Sequence, residues 1–159
     1  MKLRAYCLIA AVLLLGACKQ ATPDTGGSNA GAGQGSGQTT ASGTVQQQLT
    51  TVGDRVFFAF DRSDITPEAQ AILARQAQLL QANPSVSITI SGNCDERGTR
   101  EYNLGLGERR ANSAKQALVA LGVNPSRIKT ISYGKERPQV IGHNEQAWAQ
   151  NRNAITAIN

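Results

Sequence analysis

Cysteine, histidine, the aromatic residues and long apolar runs are all scarce here. The chain has 159 residues, with three Cys, one His, one Trp and 4% aromatics. Two of the cysteines, Cys7 and Cys18, lie at the extreme N-terminus, so the rest of the chain holds only Cys94 and no internal disulfide. One His and one remaining Cys cannot build a standard closed zinc site. Cys94 and His143 form the only candidate thiol–imidazole pair, and nothing in the sequence places them together. Gly105-Leu106-Gly107 falls inside a helical pattern and lacks the dinucleotide-binding spacing, so no cofactor is expected. The formal charge is +5, and without Lys2 and Arg4 it is +3. Acids are interleaved with these bases, so nothing points to nucleic acid. The longest apolar run, Ala5 to Leu15, is eleven residues, whereas a membrane-spanning helix needs about 20.

That run follows a basic start, Met1-Lys2-Leu3-Arg4, and suits the apolar core of a secretory signal peptide over residues 1–17. It ends in Leu15-Gly16-Ala17-Cys18, which resembles the lipobox of bacterial lipoproteins, where the Cys is acylated and becomes the first residue. Lys19 follows, not the Asp that favours inner-membrane retention in Gram-negative lipoproteins, so the resemblance implies the periplasmic face of the outer membrane. Acyl chains gain about 0.8 kcal/mol per buried methylene, so lipid on Cys18 would hold the chain on a membrane without crossing it. From Lys19 to about Gln48 the chain is Gly, Ser, Ala, Thr and Gln with few large apolar residues. Such a composition predicts a disordered tether over residues 18–48. About 30 residues of this kind span roughly 30 Å as a coil and about 100 Å when stretched.

The folded domain is expected over residues 49–159. Arg55 to Phe60 is short, apolar and aromatic, a buried strand. Thr66-Pro67-Glu68 starts a helix whose apolar stripe runs through Ala69, Ile72, Leu73, Gln76 and Leu80 until Asn83-Pro84 ends it. Val86, Ile88 and Ile90 alternate with polar residues as a strand. A polar loop then leads to a second helix from about Glu101 to Leu121, with Leu104, Ala111, Ala114, Leu118 and Leu121 inward and Gly122 at its end. Ile128 to Tyr133 reads as a third strand, residues 145–151 as a short helix and Asn153 to Ile158 as a last strand. The order β-α-β-α-β-β predicts an α/β two-layer sandwich, with two main helices on one face of a small mixed sheet. Successive β-α-β units predict parallel neighbours.

The loop and helix start at Gly92–Asn112 concentrate charges and glycines, as binding loops often do. The run Asp95-Glu96-Arg97-Gly98-Thr99-Arg100-Glu101-Tyr102-Asn103-Leu104, then Leu106-Gly107-Glu108-Arg109-Arg110-Ala111, resembles the signature of the OmpA-like peptidoglycan-binding domain. It is most similar to that family's peptidoglycan-associated lipoprotein branch. Phe58-Ala59-Phe60-Asp61, Ile131 to Pro138 and Asn151-Arg152 carry the likeness over nearly the whole domain.

The resemblance implies that Asp95 and Arg110 grip the diaminopimelate of a peptidoglycan stem peptide, with Asp61 as a third member of the pocket. Such a side chain ends in an ammonium and a carboxylate. Asp95 can accept from the first, and the Arg110 fork can give two parallel hydrogen bonds to the second. Asn103, Leu106 and Arg110 share a helix face by spacing. The resemblance also implies a periplasmic partner, the TolB propeller protein of the Tol–Pal system, and a part in envelope constriction at division. Asp95 could instead pair with Arg97 or Arg110 as a structural ion pair, or turn the loop through its own backbone. Glu96, Arg97, Glu101 and Arg109 read as surface charges. Two positions depart from the branch: Asn93 stands where His is common, and Asn153 where the terminal Asn-Arg-Arg motif has its second Arg. Retained hydrogen bonding at Asn93 predicts tuning of the site, not its loss. Two other readings stand beside wall binding: a protein scaffold that has lost it, and a wall hydrolase.

Overall fold

Thr66 and Thr99 both leave the chain extended and turn their hydroxyls back on a helix start. Thr66 accepts from Ala69 N and opens the helix Pro67–Ala82, and Thr99 accepts from Tyr102 N and opens the helix Arg100–Ala120. The computed structural model describes residues 37–159. The expected signal peptide over 1–17, Cys7, Cys18 and the expected tether up to residue 36 lie outside them. The elements are α1 (Gly37–Val52), β1 (Arg55–Phe57), α2 (Pro67–Ala82), β2 (Ile88–Asn93), α3 (Arg100–Ala120), β3 (Ile128–Gly134), α4 (Glu145–Asn151) and β4 (Asn153–Ile158), with a 3-10 turn at Pro125–Arg127. Among the described residues no helix is long and apolar enough to cross a membrane.

The α/β class and the mixed sheet agree with the sequence expectation. The strand order is β1-β4-β2-β3. The unit β2-α3-β3 does give parallel neighbours, with Ile88 paired to Ile128. The unit β1-α2-β2 does not, because β4 inserts between its strands and runs antiparallel to both. Alternation shows which residues face the core; it does not say which strand lies alongside.

Val56, Leu73, Leu80, Ile88, Ile90, Ala114 and Leu118 form the core between the sheet and the two long helices. Gln76 sits within it at 0% exposure, satisfied by donating to Gly53 O and accepting from Thr156. Leu104, expected on the inner stripe, is only half-buried, while Leu106 is buried. α3 ends as its sequence predicts: Gly122, at φ +92, lets its own N–H reach Val119 O and that of Val123 reach Leu118 O.

Two boundaries move, each for a packing reason. Residues 37–48, read as tether, are helical in α1. Val45 and Leu49, four apart and so on one face, are both buried, and Gln46 accepts from Ile158 N at the end of β4. Two apolar anchors are invisible to an argument from average composition. The first strand stops at Phe57, not Phe60. Phe58 N still bonds Arg152 O, the next pair in the β1–β4 register, and the chain then curls through a turn at Phe60–Asp61, where Asp61 takes φ 57.

α3 lies directly on the sheet where both backbones lack side chains. A Cβ on Gly92 would fall 1.8 Å from Gly107 O, and one on Gly107 would fall 2.3 Å from Ser132 Oγ. This crossing brings the first half of α3 beside the end of β2.

Candidate functional site

β2 ends at a register shift between Gly92 and Asn93, and Cys94 N then bonds Gly134 O. The chain leaves the sheet here as the loop 95–99. Asn103 fixes that loop from α3 by donating to Arg97 O and Thr99 O, and Lys135 fixes it from the other side through Glu96 O and Gly98 O. Gly98, at φ +88, makes the turn a residue with a Cβ would resist.

Between this loop, α3 and the curl after β1 lies a cavity of about 150 Å³. Asp61, Asp95, Asn103, Leu106 and Arg110, all expected from the sequence, line it together. Phe60, Cys94, Arg97, Gly98 and Tyr102 complete the wall.

Arg110 is 0% exposed. Its Nε donates to Arg62 O at 2.8 Å, Nη1 to Asn93 O at 2.8 Å and Nη2 to Ala59 O at 3.0 Å. The side chain therefore ties the curl after β1 to the end of β2. A guanidinium has five N–H groups, so three are spent on backbone and one remains on each Nη. Part of the fork is thus spent on tying the fold together. Burial pulls the Arg110 pKa down, opposed by the nearby Cys94 and Asp95. Among the described residues no carboxylate forms an ion pair with it.

Asp95 is 4% exposed and fully engaged. Oδ1 accepts from Arg97 N and Nε, both at 3.1 Å, while Oδ2 takes Arg97 Nη2 at 2.6 Å and Arg152 Nη1 at 3.4 Å. The pairing with Arg97, left open by the sequence, is present. Burial pushes the Asp95 carboxyl up, but the hydrogen bonds from Arg97, then its charge and the bond from Arg152, outweigh this and hold it below the usual carboxylate range. Asp61 is exposed and accepts from the Tyr102 hydroxyl, which raises the pKa of that hydroxyl. Its φ of 57 is the only positive value among the described non-glycine residues, a conformation Asp tolerates better than most.

The sequence reads Arg97 as a surface charge and Arg152 only as part of the Asn151-Arg152 likeness, and gives Trp148 no role. Arg97 is half-buried, its Cζ 4.0 Å from the Phe60 ring centroid and 4.1 Å from that of Trp148. Arg152 is buried between Phe58 O, Asp95 and Glu145. The Asp-x-Arg spacing is a signal for the first and the Asn151-Arg152 likeness for the second; nothing local marks Trp148. The departures Asn93 and Asn153 touch each other, Asn93 Nδ2 donating to Asn153 Oδ1 at 2.8 Å, and Asn93 Oδ1 is buried without a partner.

Cys94 and His143 both line a second cavity of about 260 Å³, yet the imidazole Nδ1 faces the two oxygens of Glu96 at 2.8 and 2.7 Å. The Cys94 thiol donates to Asn103 O, and burial raises its pKa, the reverse of what a nucleophile needs.

The OmpA family matches residues 57–152. The chain is 44% identical over 155 residues to the peptidoglycan-associated lipoprotein of Mesorhizobium japonicum, spanning 95% of this chain and 88% of that one. It is 50% identical over 127 residues to the protein of the same name from Brucella melitensis, spanning 80% and 75%. The crystal structure of the peptidoglycan-associated lipoprotein from Burkholderia pseudomallei superposes with a TM-score of 0.65 at 44% identity, covering 67% of this chain and 90% of that one. The chain belongs to the OmpA family, in its peptidoglycan-associated lipoprotein branch.

Proposed function

We propose that this protein is a non-enzymatic peptidoglycan-binding lipoprotein that ties the outer membrane to the cell wall. One observation carries the reading: Arg110, buried and without a carboxylate partner among the described residues, lines a cavity that Asp61 and Asp95 also line, and keeps N–H groups not spent on backbone. A buried cation without an anion costs free energy that backbone carbonyls only partly offset, so the cavity favours a ligand carboxylate. A ligand ending in a carboxylate and an ammonium fits this pattern, and the side chain of diaminopimelate in the stem peptide is such an end. Its carboxylate meets the free N–H groups of Arg110. Its ammonium meets Asp61, which has acceptor sites to spare, and takes the place of the long 3.4 Å Arg152 contact on Asp95 Oδ2, whose 2.6 Å bond from Arg97 stays. Asn103 and Leu106 shape the floor between them.

The signal peptide is removed after residue 17, Cys18 carries lipid, and the chain up to α1 is the tether. The wall-binding domain then works within reach of the outer membrane, as part of a Tol–Pal system that supports envelope integrity and division. A second reading, docking of a TolB-like periplasmic protein, draws support from Ile141. This side chain is 92% exposed, on a loop held by Asn151 through Gln139 N and Val140 N and by the His143–Glu96 contact. Sedimentation of the soluble domain, residues 37–159, with purified sacculi tests the first reading. Binding of wild type and its loss in Asp61→Ala are expected. Failure of wild type to sediment, with retained TolB binding, leaves only the scaffold reading. Release of soluble fragments from sacculi would instead show a hydrolase.

A further inference from the structure

We propose that Trp148 is a positioning residue for the pocket, holding Arg97 so that Arg97 in turn fixes the Asp95 carboxylate. The inference rests on the peptidoglycan-binding reading of that pocket, which it deepens.

Two rings hold Arg97. Its Cζ lies over the Phe60 ring, from the curl after β1, at 4.0 Å and over the Trp148 ring, from α4, at 4.1 Å. A planar cation held over ring faces keeps its edge free for a carboxylate. That edge, Nε and Nη2, meets both oxygens of Asp95. Phe60 is 58% exposed, so burial does not explain its place at the cavity; the stack does. Trp148 is itself oriented, because Nε1 donates to Glu96 Oε1 at 2.8 Å, and Glu96 is also held by His143. A side chain in α4 thereby sets the geometry of a carboxylate at the end of β2, although Trp148 does not line the cavity. Arg152 Nη2 on Glu145 is the second tie between α4 and this cluster.

A merely structural Trp would lower stability when removed and leave the Asp95 carboxylate and its ligand affinity unchanged. A positioning Trp affects both, and a ring that restores the stack restores them. The experiment compares wild type, Trp148→Ala and Trp148→Phe as folded domains of residues 37–159, checked by thermal unfolding. Affinity for a diaminopimelate-containing muropeptide is read by calorimetry, and the ligand-free titration of the Asp95 carboxyl carbon by NMR. Trp148→Ala is expected to weaken binding on the order of tenfold, and Trp148→Phe to stay within about threefold of wild type. The Asp95 titration should move to higher pH in Trp148→Ala and little in Trp148→Phe. An unmoved Asp95 titration in Trp148→Ala overturns the proposal, as does wild-type affinity in that variant. If wild type itself fails to bind the muropeptide, the peptidoglycan reading falls, and the ligand-free titration still decides what Trp148 does for Asp95.

Discussion

Arg97 lies edge-on against Asp95, with Nη2 2.6 Å from Oδ2 and Nε 3.1 Å from Oδ1. The pocket's most buried carboxylate is therefore held by a neighbour two residues away, and its ionisation is linked to the stability of the fold.

The linkage has a definite sign. Asp95 is held below its ordinary value in the folded protein, so the folded state binds fewer protons than the unfolded chain as pH falls through that window. Its contribution is complete above the unfolded carboxyl value of about 3.9 and is lost as pH falls through the lowered folded value. Arg97→Ala leaves burial to push Asp95 up. Urea denaturation from pH 7 to pH 3 should show the variant less stable at neutral pH, with the gap narrowing toward acid. A gap that does not change with pH would mean the ion pair contributes nothing linked to protonation.

Arg110 has a structural role that must be separated from binding. Arg110→Lys abandons carbonyls at Ala59, Arg62 and Asn93 that a single ammonium cannot reach together. A loss of about 2–4 kcal/mol in unfolding free energy is expected, from buried acceptors left unsatisfied. Equilibrium urea unfolding checks it, and near-wild-type stability would show that the curl after β1 does not depend on this side chain.

Gly105 and Gly107 should respond to alanine in opposite ways. A Cβ at Gly105 meets only the end of Arg109, 3.5 Å away, so Gly105→Ala gains helix propensity of about 0.5–1 kcal/mol. A Cβ at Gly107 meets Ser132 Oγ at 2.3 Å and Gly92 O at 2.8 Å, so Gly107→Ala should lose about 1–3 kcal/mol by forcing α3 off the sheet. Thermal melts of the two variants side by side read the contrast, and equal shifts would refute the close crossing.

Leu49 tests whether α1 belongs to the domain. It is 0% exposed, so Leu49→Ala should cost about 2–4 kcal/mol, in the range of buried Leu truncations. An unfolding midpoint unchanged from wild type would return residues 37–48 to the tether.

These cases show where the sequence was legible. Helix α2 could be read because Thr66, Pro67 and an apolar stripe agree locally, and β2 because Val86, Ile88 and Ile90 alternate. The place of β4 between β1 and β2 could not, since Asn153 to Ile158 carries no local mark of its neighbours. Helix α1 was missed because only Val45 and Leu49 anchor an otherwise polar segment. At the site, resemblance brings together Asp61, Asp95 and Arg110 and helix spacing adds Asn103 and Leu106, and the structure lines one cavity with all of them. The Asp95–Arg97 pair was open from its two-residue spacing, but the carbonyls that occupy Arg110 and the second arginine on Asp95 were not. Arg62 lies 48 residues from Arg110 and Arg152 57 from Asp95, and no spacing rule reports such distances.

The most direct test of the account is calorimetric titration of the domain with a muropeptide carrying diaminopimelate, against the same muropeptide carrying lysine in its place. Lysine keeps the ammonium and lacks the terminal carboxylate that Arg110 would meet. The account predicts binding to the first and affinity lower by at least about tenfold for the second. Equal affinity for the two would contradict it.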